Sequence, residues 1–345
     1  MNKITTFGEI LLRLSTPDSQ RISQSTSFNA NYGGAEANVA VALASWGHSV
    51  QHITRLPEND LGNVVLQMLK KEEVLVNQII KGGSRLGLYF LETGAGTRNP
   101  QVIYDRSHSA MAEIRPGMID WNQVLDGVSW FHWSGITSAI SQTAADTCLE
   151  GIEAATKKGI TISVDLNYRE KLWKYGKRPA EILPEMLKHC DYIFGGIDAP
   201  EKMFGIVPEG KSSTRGELLD TDIISIAEQM TSKFPKAQLF SSTLRWIRNT
   251  DHHQLQGMIY AKKEKEFYLS SIYDMPQMID RIGGGDAFMA GLIHGLIKYS
   301  GDYQKITDFA TASSVLKHYV HGDVSLAKLS EIENLMSGGT KEVNR

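Results

Sequence analysis

Apolar positions along this chain of 345 residues switch repeatedly between strand-like and helix-like spacing. Ile4 to Leu14 predicts a first strand, and Ala35 to Trp46 a helix of small residues ended by Gly47. Val50 to Arg55 predicts the next strand and Leu61 to Glu73 the next helix. Later strands are expected at Trp130–Trp133, Thr161–Asp165, Tyr192–Phe194 and Gln238–Ser241. Such alternation points to α/β layers. From Thr161 on, each strand ends in a polar residue or glycine, as expected where ligands bind beyond the carboxyl ends of a sheet.

Two stretches break the alternation. Residues from about 16 to 31 and from 85 to 107 contain β-type segments with no helix between them. Tyr89, Phe90 and Leu91, then Val102, Ile103 and Tyr104, read as a strand pair around Gly94, Ala95 and Gly96. Together they predict a small β-sheet projecting from the α/β core. No repeat of 20–50 residues is present. The polar tail Ser337 to Arg345 is expected to be mobile.

Chemistry enters with the run Asp280, Arg281, Ile282, Gly283, Gly284, Gly285, Asp286, Ala287, Phe288. Phe267 to Ile272 before it has strand composition. Ala287, Ala290, Leu292, Ile293, Leu296 and Ile297 after it have helical spacing. Glycines let backbone N–H groups face outward, and a helix N-terminus adds positive potential, so this is an anion site. A carboxylate there repels an anion on binding grounds. It makes sense as a base that removes a proton from a hydroxyl attacking that anion, as phosphoryl transfer requires. The plainer reading is a glycine-rich turn capped by an aspartate. A dinucleotide fingerprint would need glycine where Phe288 stands, and it usually opens its domain.

Gly205 to Ser212 matches the Walker A pattern letter for letter. Its context fails: Ala199 to Phe204 before it is polar and helix-like, and Ser213, Thr214, Arg215, Gly216 after it is polar and contains a breaker. A surface loop is expected.

The length allows one large domain or two modest ones, and six tryptophans support a sizeable core. Net charge is −3 with no basic block, which argues against nucleic acid. Cys148 and Cys190 stand outside any ligand-spaced cluster, which suggests a reducing compartment and no structural zinc. No secretory h-region and no run of about 18 apolar residues is present, so no membrane is expected and a cytoplasmic location follows. His252 with His253, and His318 with His321, lack acidic or cysteine partners at ligand spacing and read as solvated histidines.

Gly33, Gly34, Ala35, Glu36, Ala37, Asn38, Val39, Ala40 resembles the first signature of the ribokinase-like (PfkB) carbohydrate kinases. Asp280 to Asp286 resembles their second, with Gly284 where alanine is usual. The two lie in the family's order, about 250 residues apart, and the resemblance covers nearly the whole chain. It implies a doubly wound, mostly parallel α/β sheet flanked by helices in one kinase domain over 1–345. A small β-sheet lid is expected from about 12–32 and 85–115, often pairing two subunits into a homodimer. Within the family the chain looks most like kinases of 2-keto-3-deoxygluconate. That likeness rests on Asp165, Leu166, Asn167, Tyr168, Arg169 followed by Lys171, Leu172, Trp173, on Tyr104, Asp105, Arg106, and on Gly322 with Asp323. Arginine is the natural partner of a sugar acid's carboxylate, although Arg106 and Arg169 could also be plain surface residues.

By resemblance, Asp286 is the base, and the N–H groups of Gly283, Gly284 and Gly285 hold the transferring phosphate of ATP. Gly34, Tyr89, Tyr104, Arg106, Arg169 and Asp323 would contact the sugar acid. Asn167 would approach the nucleotide phosphates, Thr243, Leu244 and Arg245 match a nucleotide-binding turn, and Ala312 to Val315 would approach the adenine. Family members usually carry Asn-x-x-Glu after the strand equivalent to Tyr192–Phe194, where it sets Mg2+ and phosphate geometry. Here the segment is Gly195, Gly196, Ile197, Asp198, Ala199, Pro200, Glu201. Glycine stands in for asparagine, and Asp198 or Glu201 is left to act on the metal through water. The expectation is an ATP- and magnesium-dependent kinase for 2-keto-3-deoxygluconate. Its rivals are a kinase of another sugar, such as fructose or a deoxy-ketogluconate relative, and a non-catalytic sugar-binding regulatory protein.

Overall fold

A computed structural model describes residues 3–214 and 218–339. Arg215 and Gly216, and the tail from 340, lie outside the described residues. The large sheet runs Glu266–Leu269, His252–Ala261, Leu239–Asn249, Tyr192–Phe194, Thr161–Asp165, Val128–Ser134, Lys3–Phe7, Ser49–Ile53, and Tyr273–Met275 also pairs with His252–Ala261. Every pairing from Leu239–Asn249 to Ser49–Ile53 is parallel; the others are antiparallel.

Side-chain alternation along the strands feeds two cores. Phe131, Trp133, Ile162, Val164 and Ile193 join one, with the helices Gln142–Lys157, Pro179–Leu187 and Asp220–Lys233. Ile4, Val50, Trp130 and Phe194 join the other, with Ala35–Ser45, Gly284–Lys298 and Tyr303–Lys317. The result is a mostly parallel sheet flanked by helices. Cys148 and Cys190 are buried and unpaired. Among the described residues no helix is long and apolar enough to cross a membrane.

Ile4 to Leu14 is two strands, not one. Lys3–Phe7 belongs to the large sheet, and Leu11–Ser15 to a four-stranded sheet. There it pairs antiparallel with Asn29–Gly33 and parallel with Gly87–Glu92, which pairs antiparallel with Gln101–Asp105. Only Gly8, Glu9 and Ile10 separate the two strands, too short a break for hydropathy alone to show the change of sheet. Residues 106–115 hold no strand, and Met111 and Ile114 sink into the first core. The strand expected to run to Ile272 ends at Leu269, where the Ser270 N–H turns to the carbonyl of Gly257 at 3.0 Å.

Candidate active site

The ends of the parallel strands, the small sheet and the glycine-rich turn enclose one cleft of about 330 Å³. Gly34, Tyr89, Tyr104, Arg106, Asn167, Arg169, Arg245, Gly283, Gly284, Gly285, Asp286 and Asp323 all line it. Thr243, Leu244, Asp198 and Glu201 are not among its lining residues. Ala312 and Val315 are buried and do not line it either.

Gly283 precedes the helix Gly284–Lys298 with φ 84°, and an ideal Cβ there would sit 1.9 Å from the Asp323 carbonyl oxygen. Both facts require glycine. Gly285 faces open space, its nearest neighbour being Phe194 at 3.9 Å from an ideal Cβ. The helix's first N–H groups therefore open onto the cleft, where the backbone can approach an anion. Across the cleft, an ideal Cβ on Gly34 would lie 1.9 Å from the Glu9 carbonyl oxygen. That close approach starts the helix Ala35–Ser45 and brings Asn38 into reach. Its Nδ2 donates to Asp286 Oδ2 at 2.7 Å, and its Oδ1 accepts from the Gly34 N–H at 3.3 Å.

Burial pushes the Asp286 carboxyl up to about 7, opposed by the Asn38 bond and the Arg169 charge. Burial, then the Asp286 charge, pushes Asp165 up to about 8, while Arg169 pulls it back. A base poised near neutrality combines proton affinity with availability. Two interacting carboxyls share their protons as a pair.

On the far wall Arg13 donates to Asp280 at 2.5 and 3.3 Å and pairs with Asp323 at 3.0 Å. Burial opposes the Arg13 charge, but Asp323 and Asp280 outweigh it and raise its pKa. Tyr89 Oη donates to Asp323 at 2.7 Å. Arg106 reaches Glu9 at 2.8 Å through Nε and 2.5 Å through Nη2, and Ser109 Oγ donates to the same carboxylate. Arg169 is exposed and gives Nη1 to the Tyr168 carbonyl at 2.9 Å. Asn167 adopts φ 37°, a conformation asparagine tolerates, with its N–H on Asp165 Oδ1 at 2.9 Å.

Sequence reasoning missed Arg13, Asn38, Asp165 and Arg281 as site residues. Arg13 had a signal, a charge inside the apolar run Leu11–Ser15, and Arg281 stood inside the quoted signature. His253 and His318 are corrected outright. Both are fully buried and accept from Arg245, because the long strand Leu239–Asn249 carries that arginine to them.

Asp198 pairs with Lys202 at 2.5 Å, and Glu201 accepts from the Thr214 N–H at 2.8 Å and from the Thr214 hydroxyl. Both carboxylates are engaged outside the cleft lining, so the donor set does not fit direct metal ligation. Asp198 and Glu201 themselves stand at the Asn-x-x-Glu spacing, with aspartate in the first place, so the glycine reading of that segment is corrected. The Walker-like segment follows a helix, Ala199–Phe204, and not a strand. Gly205 closes that helix at φ 70°, and Lys211 pairs with Asp222 at 2.6 Å.

Residues 1–212 match the family model described as pfkB family carbohydrate kinase. The chain belongs to the PfkB family of carbohydrate kinases. This carbohydrate kinase is 30% identical over 345 residues to a protein of Haloferax volcanii named 2-dehydro-3-deoxygalactonokinase, covering 99% of each chain. It is also similar to the crystal structure of a 2-dehydro-3-deoxygluconokinase from Thermotoga maritima. That match has 38% identity and a TM-score of 0.91, covering 98% of this chain and 100% of the other. A PfkB family carbohydrate kinase from Listeria grayi matches with 33% identity and a TM-score of 0.88, covering 97% and 100%.

Proposed function

We propose that this kinase transfers the γ-phosphoryl group of ATP to the terminal hydroxyl of 2-keto-3-deoxygluconate. Asp286 takes the hydroxyl proton, and the oxygen bonds to the γ-phosphorus. The bond from that phosphorus to the β–γ bridging oxygen breaks, and ADP leaves. The N–H groups of Gly283, Gly284 and Gly285 receive the charge on the moving group. Thr243, Leu244, Arg245 and Asn167 are proposed on the nucleotide side. Gly34, Tyr89, Tyr104, Arg106 and Asp323 are proposed on the sugar side. Magnesium, bound to the nucleotide phosphates, would neutralise charge there, with Asp198 and Glu201 reaching it through water.

The observation that carries the sugar-acid reading is Arg169. Its guanidinium is exposed, bonded only to a neighbouring carbonyl among the described residues, and lies in one cleft with Asp286. A carboxylate is the partner its planar fork fits. The two relatives named for their acids support the same class, and those acids differ in the configuration of one carbon. The four-stranded sheet serves as a lid in this reading. Exposed Phe28 and Ile103 support a homodimer through it, and the unpaired cysteines support a cytoplasmic location.

The test is kcat/KM by coupled ADP release on 2-keto-3-deoxygluconate, its galacto epimer and fructose. The acids are expected to lead fructose by at least about tenfold, the lower end for one charged hydrogen bond. Fructose matching the acids overturns the reading.

A further inference from the structure

Arg245 and Arg281 line the cleft beside the glycine turn, and among the described residues no carboxylate is paired to either. The two buried arginines contrast with them: Arg13 has Asp280 and Asp323, and Arg106 has Glu9. Among the described residues the Arg281 side chain makes no hydrogen bond or ion pair. Arg245 Nη1 donates to His253 Nδ1 at 3.2 Å and to His318 Nε2 at 3.1 Å. His318 gives its Nδ1–H to the Ser314 carbonyl at 2.7 Å, which leaves Nε2 as the lone pair Arg245 needs.

Burial holds both imidazoles neutral, pushing His318 down to about 3 and His253 to about 4. They orient the guanidinium and leave its charge uncompensated. The His318 ring also packs against the turn: an ideal Cβ on Gly284 would lie 2.4 Å from its Cε1. One ring thus fixes Arg245 relative to the phosphate-binding N–H groups. A desolvated cation with no counter-ion is costly, and the cost is recovered when an anion arrives.

We propose that Arg245 and Arg281 are catalytic residues that clamp the γ-phosphoryl group while it passes from ATP to the acceptor. The proposal rests on the phosphoryl-transfer reading of this cleft. Guanidinium forks match the equatorial oxygens of the moving group. The arginines form no bond and take no proton. The acceptor oxygen bonds to phosphorus, the bond to the ADP oxygen breaks, and the proton goes to Asp286.

The experiment compares ATP and ADP binding by calorimetry, without sugar, in wild type, Arg245→Gln, Arg281→Gln and Arg281→Lys. Turnover is then measured with the best acceptor. Each Gln variant is expected to lose about 10- to 150-fold of ATP affinity, the range for a hydrogen bond to a charged group, with ADP affinity nearly unchanged. Their kcat is expected to fall roughly 10²- to 10³-fold, with Arg281→Lys retaining more than Arg281→Gln. Arg281 leaves no partner behind when removed, so Arg281→Gln is expected to keep the wild-type Tm and reads the clamp even if Arg245→Gln folds poorly. Equal loss for ATP and ADP overturns the clamp. So does a raised sugar KM with kcat unchanged, which would hand the arginines to the acceptor. A wild type that phosphorylates fructose and not sugar acids would sink the substrate reading, while the ATP–ADP comparison would still decide the clamp.

Discussion

The Asn38 amide holds the Asp286 carboxylate at 2.7 Å across 248 positions of sequence. One signature thereby orients the acid of the other. The bond acts on the ionised form and lowers a pKa that burial raises.

Replacing Asp286 by Asn keeps the shape and removes the proton acceptor. We expect kcat to fall roughly 10²- to 10⁴-fold with little change in sugar KM. Retention of more than about a tenth of kcat would remove Asp286 from the role of base.

The base works ionised, so kcat is expected to rise with pH through about 7, the value to which burial lifts Asp286. Asp165, pushed up to about 8, couples to it, so the rising limb belongs to the pair. Asp165→Asn removes a like charge and is expected to move the limb to lower pH. Asn38→Ala removes a bond to the carboxylate and is expected to move it higher. A limb that stays in place in both variants would contradict the assignment.

Arg13 is buried between Asp280 and Asp323, with 3% of its side chain exposed. Arg13→Met leaves the buried Asp323 and the partly buried Asp280 without their cation. The expected loss is about 3–5 kcal/mol of stability, read as a lower denaturation midpoint in urea. A midpoint within error of wild type would show that the triad contributes nothing.

Lys211 offers the opposite case. It lies in a turn, is not among the residues lining the cleft and pairs with Asp222, so Lys211→Ala is expected to leave ATP affinity intact. The cost to stability, from a partly exposed pair with Asp222, is expected to be small, read as an unchanged urea midpoint. Loss of ATP binding would revive the P-loop reading.

Much of this was legible in the chain. Thr161–Asp165 and Tyr192–Phe194 have the expected bounds, because strands buried on both faces are short apolar runs between polar ends. The glycine turn was legible because φ 84° at Gly283 leaves little choice of residue. What stayed hidden depends on long-range pairing. The bond between Arg13 and Asp280 spans 267 positions, and Arg245 meets His318 across 73. Local pattern carries no trace of such partners, so His253 and His318 read as solvated although the fold buries them.

The most direct measurement is kcat/KM for 2-keto-3-deoxygluconate and for fructose, in wild type and Arg169→Ala. Arg106 is the weaker probe, since removing it strands Glu9 as well. If Arg169 grips the sugar carboxylate, the variant's KM for the acid rises roughly 10- to 150-fold. The acid's lead over fructose then shrinks by a similar factor, while the KM for ATP barely moves. Equal losses on both sugars, or an unchanged preference for the acid, would contradict the sugar-acid account.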